Sequence, residues 1–125
     1  MEINTKTTNK ITREQALAIC HAFRNLGLSS GLTGTRLLNK IVQILAIKDL
    51  EIVVLEDVYK EISTYFPAIK TSQMRKHIVY ALNHRDFDKS EGNFELVFGF
   101  EYDEIYFEPK NFVEELANII RLESI

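Results

Sequence analysis

One cysteine in 125 residues leaves no partner for an internal disulfide and no thiolate set for a zinc site. Cys20 falls on the apolar sector of an expected helix, so it reads as a buried packing thiol, with no partner base to make it a nucleophile. Long apolar runs are missing too, and no segment reaches the length of a membrane span. Residues 1–15 carry Glu2, Lys6, Lys10, Arg13 and Glu14 and do not form a secretory signal. A soluble, reduced, cytoplasmic protein without membrane contact is expected. Glycine-rich phosphate loops are lacking: Gly31 and Gly34 have no Lys-Ser/Thr pair after them. Histidine is scarce, and His77 and His84 lie seven apart rather than at the i, i+4 spacing of a helical zinc pair. Glu101, Asp103, Glu104 and Glu108 alternate with aromatics like a solvated strand face and lack calcium-loop spacing. No Ser, His and Asp group forms a recognisable frame. Neither catalysis nor a cofactor or metal is expected.

What the chain does have is a hydrophobic fraction of 46%, enough to build one core without cross-links. The net charge of −3 hides an asymmetry. Residues 1–85 hold 12 Lys/Arg against 7 Asp/Glu, whereas residues 86–125 hold 3 against 11. A basic body with an acidic appendage is one pattern of nucleic-acid contact.

Hydrophobic periodicity predicts a mainly α fold, a single helical domain of about five to six helices over residues 11–125, after a flexible arm at residues 1–10. Thr12 and Gln15 form a capping box ahead of a helix over Arg13–Leu26 that buries Ala16, Ile19, Cys20, Phe23 and Leu26, with Gly27 closing it. A second helix from about Thr35 to Ile47 buries Leu37, Leu38, Ile41, Ile44 and Leu45. Lys48–Val54 reads as a connector. Leu55, Val58, Tyr59, Ile62 and Phe66 mark a third helix, ended by Pro67. The fourth spans Ser72–Arg85, capped by Thr71 or Ser72, and buries Met74, Ile78, Ala81 and Leu82. Asp86–Asn93 reads as a polar loop, and residues 94–107 as a short β-hairpin or an aromatic clasp. Asn111 is expected to cap a last helix, with Glu114 at its third position and Phe112, Val113, Leu116, Ile119 and Ile120 as its stripe.

The third and fourth helices make a helix-turn-helix whose second member offers a basic and polar face to a DNA major groove. Gln73 suits adenine, and Arg75 or Lys76 suits guanine. Val79 can meet a thymine methyl, and Tyr80 and Asn83 can meet phosphate or base edges. Lys70, Thr71 and Ser72 stand at the helix start, where amides favour phosphate. Arg36, Lys40 and the arm's Lys6 and Lys10 are expected backbone contacts. The competing expectation is a protein-interaction module, motivated by aromatic residues rimmed with carboxylates over Phe94–Glu108.

Three segments together resemble the C-terminal DNA-binding domain of the stage-zero sporulation protein A response-regulator family. They are Leu26-Gly27-Leu28 leading into Gly34-Thr35-Arg36-Leu37-Leu38-Asn39-Lys40-Ile41, the helix pair around Tyr59–Ile62 and Ser72–Ile78, and the ending Pro109–Phe112 with Ile120–Glu123. The resemblance covers about Leu26–Glu123 and implies an all-helical fold with a central helix-turn-helix. It places the family's DNA-facing Arg, Glu, Arg, Arg and His on Gln73, Arg75, Lys76, Val79 and Tyr80. Only Lys76 keeps its counterpart's charge, so a different sequence preference, or none, is implied. The family's receiver domain has no counterpart in these residues. Regulation is therefore expected through a partner, abundance or oligomerisation. Duplex DNA, a homodimer or tandem copies on DNA, and the transcription machinery are the expected partners of a small transcription regulator or mobile-element accessory factor.

Overall fold

The computed structural model describes residues 10–48 and 52–123. Six α-helices follow one another: α1 Arg13–Asn25, α2 Thr33–Ile47, α3 Leu55–Ile62, α4 Thr71–Asn83, α5 Phe87–Phe98 and α6 Pro109–Glu123. Short 3-10 segments at Ser63–Tyr65 and Glu104–Phe107 extend α3 and precede α6, and no strand occurs among the described residues. The all-helical expectation holds. Most of the expected arm, Lys6 included, and part of the connector lie outside the described residues.

The most apolar helix occupies the centre. Leu37, Leu38, Ile41 and Val42 of α2 are wholly buried, and α2 packs chiefly against α4 and α6. The Arg121 guanidinium donates to the Ala46 carbonyl at 3.3 Å and to that of Leu45, placing a cation on the exposed carbonyls at the end of α2. At the start of α1, Gln15 N–H donates to Thr12 Oγ1 at 3.0 Å, and Thr12 N–H donates to Gln15 Oε1 at 2.9 Å. That is the expected capping box. Its far end is closed by Gly27 at φ +83°, with Leu28 N–H donating to Phe23 O at 3.0 Å.

Glycine is required at two joints. A Cβ on Gly27 would meet Asp86 O at 2.6 Å, on top of its left-handed backbone. A Cβ on Gly34 would lie 2.0 Å from the His77 carbonyl oxygen and 2.8 Å from Ala81 Cβ. Gly34 therefore sets how closely the start of α2 approaches α4.

Several local expectations fail for identifiable reasons. Cys20 is exposed, because it lies at the edge of the α1 stripe rather than beneath it. Asp86–Asn93 is no loop. Asp86 accepts from Lys89 N–H at 3.2 Å and caps α5, whose inward face is Ser90, Phe94 and Phe98. Ser90 completes that stripe because its hydroxyl donates to the Leu26 carbonyl, which lets a polar side chain be buried. Residues 94–107 form no hairpin: 94–98 complete α5, and the aromatic clasp is that helix end together with the irregular segment up to the 3-10 turn at Glu104–Phe107. Asn111 does not cap α6; Pro109 takes the first helical position, where its missing N–H costs nothing, and Asn111 donates from its side chain to Ile105 O at 3.1 Å.

Candidate nucleic-acid interface

α4 starts one residue earlier than expected, and its cap is Lys70 in an extended conformation with no side-chain hydrogen bond. Thr71 and Ser72 thus belong to the first turn and do not cap it. Met74, Ile78, Ala81 and Leu82 are buried, as their spacing predicts. This leaves Lys70, Thr71, Ser72, Gln73, Lys76, Tyr80 and Asn83 exposed. No Asp or Glu occurs anywhere on α4. The acidic C-terminal third does not cover this face: Tyr80 is 52% exposed. Its ring stacks on His84 at 3.8 Å, and the His84 Nδ1 lies 2.8 Å from the Tyr80 carbonyl oxygen.

The remaining nominated residues divide between two flanks. On one flank, half-buried Val79 joins Arg75, Leu82 and Asn83 in a groove of about 480 Å³, whose other wall is Phe107, Glu108, Pro109, Lys110 and Asn111. Val79 is therefore apolar because it faces this turn, and it projects outward less than its helical position suggests. Arg75 is exposed and lies near the Tyr59 phenol. Burial raises the Tyr59 pKa above the ordinary phenol value, and the Arg75 charge lowers it in part. That hydroxyl is buried, and Arg75 is the charged group beside it.

On the other flank stands the start of α2. Arg36 is exposed there, and its guanidinium donates to Thr33 Oγ1 at 3.4 Å. Lys40, half-buried, places its ammonium 3.9 Å above the Tyr65 ring. Arg36 and Lys40 share a depression with Ser30, Asn39, Gln43 and Phe66. Lys10 lies next to it, lining a recess with Lys40, Gln43 and Tyr65. Arg36, Lys40 and Lys10 thus line two adjoining depressions along α2, whose start abuts α4 where Gly34 meets His77.

Two features escaped sequence reasoning. Lys110 and Asn111 reach the α4 groove only through the fold, although Lys110 is one of just three Lys/Arg after residue 85. Arg85, the expected last residue of α4, lies just past its end and is almost wholly buried. Its Nε donates to Ser90 Oγ and its Nη1 to Leu82 O, both at 2.8 Å, and its Nη2 lies 3.2 Å from a Glu104 oxygen. The guanidinium carbon also sits 3.6 Å from the Phe107 ring centroid. Arg85 is thus the hub of the clasp and contributes nothing to the open face. The Glu104 carboxyl is held below its usual pKa, first by the Tyr102 hydroxyl and then by Arg85.

The clasp aromatics are a core. Phe94, Phe98 and Phe107 are buried, and Phe94 has Phe98, Phe100, Tyr102 and Phe107 around it at centroid distances of 4.6–5.9 Å. The carboxylates Glu101, Asp103, Glu104 and Glu108 stand exposed above them, on an irregular segment rather than a strand. No group of three or more His, Cys, Asp or Glu among the described residues could hold a metal ion. No helix among them is long and apolar enough to cross a membrane. Compared with protein-family models, characterised proteins and solved structures, the chain finds no match.

Proposed function

We propose that the protein binds duplex DNA with α3 and α4 as its helix-turn-helix, α4 entering the major groove, and acts as a small transcription regulator or mobile-element accessory factor. The observation that carries this reading is the outer face of α4, which is solvent-open and free of carboxylates and displays Gln73, Lys76, Tyr80 and Asn83. Arg75 stands at its edge. Gln and Arg or Lys match the donor and acceptor patterns of adenine and guanine edges. Arg36, Lys40 and Lys70 beside that face suit phosphates, which position a protein without reading sequence. The resemblance to the sporulation-regulator effector domain points the same way and implies a helix-turn-helix at this place in the chain. One such helix reads few base pairs, so two copies or tandem binding are part of the proposal.

The test is selection of bound fragments from random duplex DNA, followed by titration of the recovered site. Replacing Lys76 or Arg75 by Ala should weaken that complex by about 1–3 kcal/mol and relax preference at one position. Wild-type affinity in both variants removes these roles, and a failure to recover any sequence removes site-specific recognition.

A protein-interaction role is the second reading, on a different surface from the one the sequence indicates. Within the clasp, Phe94, Phe98 and Phe107 are buried, while Tyr102 and Ile105 are 37% and 47% exposed. Leu17 of α1, Leu96 of α5 and Leu122 of α6 are 44%, 74% and 62% exposed, and Leu96 borders a groove of mixed polarity with Ala18, His21, Asn25, Val97 and Ile119. Loss of self-association in Leu96→Glu, measured by sedimentation, supports it; a wild-type chain that stays monomeric at high concentration removes that surface from the assembly.

A further inference from the structure

We propose that Lys110, facing Arg75 across the groove beside α4, is a second backbone contact that holds a DNA phosphate on the α6 side of the reading face. The inference rests on the DNA-binding reading and extends it to a residue outside the helix-turn-helix. Four observations lead to it. The groove is open and adjoins the exposed helix, with Val79 and Leu82 as its apolar floor. Cationic side chains stand on both walls, Arg75 on α4 and Lys110 on α6, with Asn83 and Asn111 as neutral donors beside them. The first bond of α6 runs from Phe112 N–H to Glu108 O at 2.9 Å, so the Lys110 and Asn111 amides lie ahead of the helical ladder at its positive end. Finally, the start of α2 meets the other side of α4 at His77 through Gly34, and Arg36 and Lys40 follow on the same helix. A helix in a major groove has a phosphate strand on each side, and cations on both flanks match that arrangement.

One group opposes the proposal. Glu108 lines the same groove, and its carboxylate would repel a phosphate there. This opposition makes the inference testable with two signs. Binding of a labelled random-sequence duplex is measured by fluorescence anisotropy over a salt series for the full chain. Lys110→Gln should lower affinity about fivefold to tenfold at moderate salt and reduce the slope of log K against log salt by about one. Glu108→Gln should raise affinity several-fold. Lys89→Gln, a charge loss on α5 outside the groove, should leave the slope at its wild-type value. All three side chains are exposed, and unchanged thermal melting verifies that the fold is intact.

If the wild-type chain binds no duplex at any salt, the DNA reading itself fails. If it binds but Lys110→Gln keeps the wild-type slope, or Lys89→Gln lowers it equally, the Lys110 contact is overturned while DNA binding stands.

Discussion

α4 and the clasp over residues 85–108 are built from the same ingredients, charged side chains and aromatic rings, and use them in opposite ways. On α4 the charges are positive, and the one ring on the open face, Tyr80, is half in solvent. In the clasp most charges are negative, and Phe94, Phe98 and Phe107 are turned inward, near the only arginine among the buried residues. The difference follows from what each segment packs on. α4 lies on an apolar helix, α2, and turns Met74, Ile78, Ala81 and Leu82 into the core. The clasp has too little regular backbone structure to satisfy itself between Gly99 and Asp103, so rings and one buried guanidinium hold it. A surface residue of α4 is therefore available for recognition, whereas an inward residue of the clasp is committed to stability.

That contrast can be broken in four ways. The largest expected effect is at the α2–α4 joint. Gly34→Ala drives a methyl into the His77 carbonyl and should destabilise the fold by about 3 kcal/mol or more, read by denaturant titration. Wild-type stability in that variant would mean that the two helices are not in this close contact. Next is the hub of the clasp. Arg85→Leu leaves Ser90 Oγ and the Leu82 carbonyl without their donor and should cost about 2–4 kcal/mol, with near-ultraviolet dichroism of the clasp tyrosines changing alongside. A change of similar size in Lys76→Ala would contradict the division of labour, since exposed substitutions on α4 should stay within about 0.5 kcal/mol.

Smaller effects refine the same picture. Glu104 ionises more readily in the folded chain than in the unfolded one. Its contribution is therefore present above the unfolded carboxylate pKa of about 4.3 and is lost as pH falls through the lower folded value. Because the side chain is 66% exposed, solvent screening limits the effect to below about 1 kcal/mol. Glu104→Gln should flatten the acid limb of a stability-against-pH curve by that amount. An unchanged acid limb would show that Arg85 needs no charged partner. Last, Gly92 sits mid-helix in α5 with open space around it and no left-handed backbone. Gly92→Ala should raise stability by about 0.5–1 kcal/mol, the opposite sign from Gly34→Ala. Destabilisation there would deny that residues 87–98 are helical.

Much of this architecture was legible before any coordinates. Thr12 with Gln15, Gly27, the α2 stripe and the inward residues of α4 follow from local hydrogen bonding and helical period alone. α5 was not legible, because its inward face includes Ser90, which counts as apolar only once the Leu26 carbonyl arrives from 64 residues away. The role of Arg85 was not legible for the same reason: rings and a carboxylate from residues 87–107 surround it only in the folded chain. On α4, Gln73, Lys76, Tyr80 and Asn83 are exposed as their helical positions predict, but Val79 was placed too far out and the position of Lys110 beside the helix was not foreseen. Both errors come from one tertiary event, the docking of the 107–111 turn beside α4.

By itself, the order of amino acids determined where most helices form, which of their faces are apolar, and that the carboxylate-free face belongs to the fourth. Those properties depend on neighbours within about a turn, so the chain carries them locally. Tertiary structure alone decided that the rings of Phe94, Phe98 and Phe107 would be buried together, that Arg85 would be their anchor, and that Lys110 would stand beside α4. Each of these depends on partners distant along the chain, and only packing can supply them.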